Sequence, residues 1–140
     1  MRADLVETLL DRELQVCGLD DLARRGVRLW REGTDVFIAF EAGRNGQTGL
    51  FKLNCSSFDA DPPSAIMIDP VTRAELPLEL WVPGVPHSMH PTVNRPFVCI
   101  QGVREYHLHP CHLEDSWDKY RQTIRLPQTI WRLLEKAGVN

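Results

Sequence analysis

Imidazole and thiol are the side chains that do nucleophilic, acid–base and zinc chemistry near neutral pH, and this sequence concentrates them in one stretch. All five histidines, His87, His90, His107, His109 and His112, fall within 26 residues, together with Cys99 and Cys111. A thiolate such as that of Cys99 suits acyl transfer, because sulfur is a strong nucleophile and a good leaving group, whereas a serine ester would hold its acyl group too firmly. Transfer then requires an attacking amine to lose its proton and a tetrahedral oxyanion to meet hydrogen-bond donors. Zinc is the competing use: His107-x-His109-x-Cys111-His112 offers four ligands in six residues. Ligands so tightly spaced seldom close one tetrahedron without a distant side chain, and the sequence has no Cys-x-x-Cys pair. It has no glycine-rich phosphate loop either, so the chain is expected to receive an activated acyl group and not to make one with ATP.

The elements that must position these groups are legible in outline. Leu5, Val6, Leu9, Leu10, Leu14 and Val16 recur at helical spacing within residues 3–25, which predicts an amphipathic first helix that ends or bends at Gly18. From Val27 to Asp69 the pattern changes to four short apolar runs: Val27–Trp30, Asp35–Phe40, Leu50–Cys55 and Ala65–Ile68. Their connections, Glu32-Gly33-Thr34 and Gly43-Arg44-Asn45-Gly46 among them, are too short for crossover helices, so the strands should form an antiparallel meander. Eight of the ten prolines lie between Pro62 and Pro96, which excludes a long helix or central strand there. Leu78, Leu80, Trp81, Val82 and Val85 within it predict an ordered, extended surface loop. Arg95–Ile100 reads as extended and residues 101–116 as a polar loop. Pro127 fits the first turn of a closing helix whose apolar face is Ile130, Leu133 and Leu134.

Composition bounds the remaining possibilities. With 140 residues, 43% of them hydrophobic and 25% charged, residues 1–140 are expected to form a single α+β domain with a real core. Sixteen basic against nineteen acidic residues give a net charge of -3 with no basic stripe, which argues against a nucleic-acid partner. No apolar run is long enough for a membrane span, and Met1-Arg2-Ala3-Asp4 lacks the apolar core of a signal peptide, so a cytoplasmic location is expected. In that reducing setting Cys17 and Cys55 read as core thiols.

The run His90-Pro91-Thr92-Val93-Asn94-Arg95-Pro96-Phe97-Val98-Cys99-Ile100 resembles the active-site segment of the ubiquitin-conjugating (UBC) enzymes. There a His-Pro-Asn tripeptide precedes the catalytic cysteine at a similar distance, here nine residues, and an aliphatic residue follows it. Gly49–Leu53 and Phe58–Ile66 look like the family's strand and its proline turn, while Trp117 and the helix over 124–134 stand where a tryptophan and a helix follow the active site. The sequence departs from the family at Thr92, which replaces the asparagine, and at the histidine-rich stretch behind the cysteine. Bacterial relatives encoded in CBASS-type antiphage operons share both departures, and this sequence looks like one of those.

The resemblance implies a UBC-like fold: N-terminal helix, four-stranded antiparallel meander, proline-rich active-site loop and a C-terminal helix that closes the other side. It implies a thioester on Cys99, with His90, Pro91 and Asn94 as active-site support and His107 or His109, ahead of His112, replacing the missing asparagine as acid–base or oxyanion partner. Cys111, between imidazoles in His109-Pro110-Cys111-His112, is the alternative nucleophile. The implied partner is the C-terminus of a cGAS-like nucleotidyltransferase or of a ubiquitin-like protein, with an activating enzyme as a further candidate. No cofactor or metal is required. The alternatives are an inactive UBC-like binding module and a small zinc-binding domain built on the histidine loop.

Overall fold

A computed structural model describes residues 3–140, apart from the side chain of His87. Helix α1 (Ala3–Gln15) buries Val6, Leu10 and Leu14, one row at a spacing of four that a helix places on a single face. Leu5 and Val16, expected on that face, are exposed. Leu5 lies off the row, and Val16 falls beyond the last helical residue, in the turn where Gly18 adopts a left-handed conformation. A second helix, α2 (Leu19–Arg24), follows and inserts Leu22 into the core.

Strands β1 (Val27–Glu32), β2 (Asp35–Phe40), β3 (Gly49–Asn54) and β4 (Ser64–Met67) form a sheet in the order β1-β2-β3-β4, every pairing antiparallel. The molecule is therefore α+β with the meander that the short connections demand. Val36, Ile38 and Phe40 alternate onto one face of β2 and are buried. On the other face Phe37 stacks against its register partner Trp30 with ring centroids 5.3 Å apart, and the Arg73 guanidinium lies 4.7 Å from the Phe37 ring. Those contacts cover an aromatic that a single-sided sheet would leave wet.

The closing helix α4 (Leu126–Lys136) buries Leu126, Ile130, Leu133 and Leu134. It begins later than the expected residue 124, at a cap where Gln128 accepts the backbone N–H of Arg125, and Pro127 occupies its first turn. Instead of closing the far side, α4 lies against α1. The Trp131 indole N–H donates to the Cys17 carbonyl at 3.3 Å, and Arg125 pairs with Glu13 at 2.9 Å. Both helices are amphipathic on one stripe, so facing each other across the same core satisfies both.

Trp81, Val82 and Val85 anchor the proline-rich segment in the core, and the Trp81 indole N–H donates to the Leu76 carbonyl, whereas Leu80 is exposed. Strands β5 (His87–Met89) and β6 (Pro96–Val98) pair as a small antiparallel ribbon within this segment, and helix α3 (Arg104–Leu108) occupies the stretch read as polar loop. The extended reading of Arg95–Ile100 holds for β6, but its pairing partner and the short helix escaped the sequence reading. Three-residue strands and a five-residue helix are too short to write a period into the sequence. Among the described residues no helix is long and apolar enough to cross a membrane.

Candidate functional site

The site grows from the β5–β6 ribbon. Its connection is a turn in which the Asn94 N–H donates to the His90 carbonyl and the His90 N–H to the Arg95 carbonyl. Asn94 takes a left-handed φ of 51°, a conformation that asparagine tolerates better than most side chains. His90, only 1% exposed, holds this turn from inside. Its Nδ1 accepts the backbone N–H groups of Thr92 and Val93 at 3.1 and 3.2 Å, which places the proton on Nε2, and Nε2 donates to the Glu105 carbonyl at 3.0 Å. A single neutral imidazole thus ties the turn before Cys99 to the helix after it. Pro91 and Asn94 are exposed members of the same turn.

Cys99 follows β6 directly, its N–H donating to the Pro86 carbonyl at 2.8 Å. The four thiols separate by environment. Cys17 and Cys55 are buried, and burial pushes the Cys17 thiol up to about 12 and Cys55 higher still, so neither is an available nucleophile. Cys99 is half-buried and Cys111 exposed. Burial, and secondarily the neighbouring Cys111, raises the Cys99 pKa, so at neutral pH it rests as a thiol. Tyr106 also stands close enough to feel a charge on Cys99, although burial and then Asp115 are the larger reasons that its hydroxyl is pushed up to about 12.

Behind the cysteine, rings run in contact from the turn to α4's approach. Phe97 and His109 both lie against His90, His109 neighbours His112 at 5.5 Å, and His112 stacks on Tyr106 at 4.0 Å. Tyr106 meets His107, which meets Trp117. The imidazoles are not equivalent. The Gly102 N–H donates to His107 Nε2 at 3.1 Å while His107 Nδ1 donates to the Asp115 carbonyl at 2.7 Å, so both of its nitrogens are engaged. His109 Nδ1 accepts the Cys111 N–H at 3.0 Å, leaving Nε2 to carry the proton of its neutral form. None of His107, His109 and His112 hydrogen-bonds the Cys99 sulfur. Two of the four ligands of the zinc reading, His107 and His109, are thus committed to local backbone bonds, and among the described residues no three His, Cys, Asp or Glu side chains form a group that could hold a metal ion.

Asp115, which the sequence did not single out, organises the loop. Its carboxylate accepts from the Tyr120 and Tyr106 hydroxyls and from the Gln101 amide, and these donors hold its pKa down at about 2. A depressed pKa stabilises the fold above the unfolded value near 4 and loses that contribution as pH falls toward 2. We expect Asp115→Ala to speed amide hydrogen exchange across residues 101–120 at neutral pH while leaving the β2 and β3 amides unchanged. Exchange unchanged in that segment would show that the loop is held by its ring packing alone. Glu105 and Tyr120 were missed with Asp115, because an isolated carboxylate or phenol carries no spacing signal until the chain folds.

Comparison with known proteins singles out this same stretch. The Y4jH-like family (Y4jH family) matches residues 88–129, from β5 into the first turn of α4. The uncharacterized protein y4jH of Sinorhizobium fredii is 29% identical, with 50% of this chain and 47% of that protein covered. The chain thus spans about half the length of the relative it matches. The family match contains the His90 turn, both accessible cysteines, the run of rings and Asp115.

Proposed function

We propose that the protein is a cysteine-dependent acyltransferase of the ubiquitin-conjugating kind, with a UBC-like fold, in which Cys99 carries the C-terminal acyl group of a protein as a thioester. The observation that carries this reading is the placement of Cys99: a half-exposed thiol at the end of β6, behind a turn pinned by His90, while Cys17 and Cys55 are sealed in the core. The Cys99 sulfur attacks the carbonyl carbon of an activated donor, a new C–S bond forms, the donor's C–S bond breaks, and the Cys99 proton leaves with the donor thiolate. An amine then attacks the Cys99 thioester, the amide C–N bond forms as the C–S bond breaks, and the proton lost by the amine ends on the departing Cys99 sulfur.

His109 is the imidazole best disposed to assist, since its Nε2 proton is not spent on the loop as both nitrogens of His107 are. Its role is to present that proton to the oxyanion after a small loop movement, in place of the asparagine absent at Thr92. In this reading the acyl group is the C-terminus of a cGAS-like nucleotidyltransferase or a ubiquitin-like protein, loaded by an activating enzyme in the cytoplasm during antiphage defence. Incubation with a peptide thioester of mercaptoethanesulfonate tests the chemistry without an activating enzyme. The expected product is a peptide thioester mapped to Cys99 by mass spectrometry and cleaved by hydroxylamine. Acylation at Cys111 alone would move the nucleophile there, and none at either thiol would leave the inactive binding module.

A further inference from the structure

Where the turn before Cys99 faces the helix after it, they leave a cleft of about 180 Å3 lined by Ser64, Val93, Arg95, Arg104, Glu105 and Leu108. At its base Glu105 is 4% exposed. One of its carboxyl oxygens accepts from the Ser64 hydroxyl, and the other has no hydrogen-bond partner among the described residues. Two guanidinium groups feel this carboxyl, those of Arg95 and Arg104, and like charges seldom share a wall unless something between them draws both in. Arg95 is further tied to Glu75 at 2.5 Å, whereas Arg104 is exposed and makes no ion pair among the described residues. At the rim Val93 and Leu108 are 42% and 47% exposed.

We propose that this cleft docks an acidic peptide segment of the protein partner, one carboxylate meeting Arg104 and Arg95 and the flanking aliphatic side chains covering Val93 and Leu108. Glu75 already balances Arg95, so the cation left without an ion pair at the mouth, among the described residues, is the exposed Arg104, on a chain whose formal net charge is -3. The guanidinium fork matches carboxylate geometry, which favours an acidic side chain over a neutral one. Exposed aliphatics on both walls favour a peptide over a bare anion, because a small inorganic ion would leave them in water. Both walls belong to segments that flank Cys99 in sequence. The proposal deepens the acyl-transfer reading and rests on it for the partner's presence at this face, while binding itself requires no chemistry at sulfur.

The test uses the full chain carrying Cys99→Ala, so that failure to form a thioester and failure to bind are separate results. Two amidated five-residue peptides are titrated by NMR, one with glutamate between two leucines and one with glutamine in its place. The glutamate peptide should bind about tenfold tighter, the value of one charge-assisted pair. Its shifts should centre on the amides of Ser64, Val93 and Leu108. Arg104→Ala, a surface change that leaves the fold intact, should erase the difference between the peptides. Equal binding of the two peptides, a preference that survives Arg104→Ala, or shifts centred elsewhere would overturn the proposal.

Discussion

Arg125→Ala is expected to lower the unfolding free energy by about 2 to 3 kcal/mol, somewhat below the cost of breaking a fully buried pair because this one is partly wet. Arg125 reaches Glu13 on α1 at 2.9 Å and Asp59 at 2.6 Å, and all three side chains are less than a quarter exposed. Asp59 also takes Arg121 at 2.9 Å, and its backbone carbonyl accepts the Trp117 indole N–H. Removing the guanidinium therefore strips Glu13 of its ion pair, leaves Asp59 with Arg121 alone, and loosens the junction of α1, α4 and the ring-lined loop. The sign with pH follows from Asp59: burial opposes its ionisation, but Arg125 and Arg121 outweigh burial and hold its pKa below the ordinary value. That contribution is full above the unfolded pKa near 4 and is lost as pH falls through the folded value. Urea titrations should thus show the gap between wild type and variant narrowing below about pH 4. A gap that stays constant on acidification would mean that the loss is one of packing over Phe58, whose ring lies 5.2 Å from the guanidinium.

The largest effect on activity is expected at Cys99. Cys99→Ala should abolish transfer while changing stability by no more than about 1 kcal/mol, because a half-exposed thiol contributes little packing. Cys111→Ala should retain transfer, since Cys111 is an exposed neighbour outside the pinned ribbon. His90→Ala would behave differently again. It removes the acceptor for two turn N–H groups and the donor to Glu105 together, so lost transfer should come with faster exchange at Thr92 and Val93. Transfer lost in Cys111→Ala and kept in Cys99→Ala would exchange the roles of the two thiols.

The meander was readable because period-two alternation such as Val36, Ile38 and Phe40 is written directly into a strand, and short connections leave only antiparallel pairing. The side of the sheet taken by α4 was not, since an amphipathic stripe states that a helix has a buried face without saying against what. Within the site, residue types exposed the histidine and cysteine cluster, and the family resemblance, not spacing, suggested His90, Pro91 and Asn94 as its support. What the sequence withheld was the division of labour among the histidines. His90 and His107 are spent on backbone groups on both ring nitrogens, and that depends on partners fifteen and eight residues away, at Glu105 and Asp115. Asp115 itself, one acidic residue among nineteen, became visible only when three donors converged on it.

Whether Cys99 carries an acyl group is read out by exchanging its sulfur for oxygen. Cys99→Ser replaces a labile thioester by an ester that holds its acyl group. Intact-mass spectrometry of the protein isolated from its own cells should show a thiol-labile protein adduct on the wild type and a thiol-resistant adduct of the same mass on Cys99→Ser, mapped to residue 99. An adduct that remains thiol-labile in Cys99→Ser and maps to Cys111, or no adduct on either protein, would contradict the account.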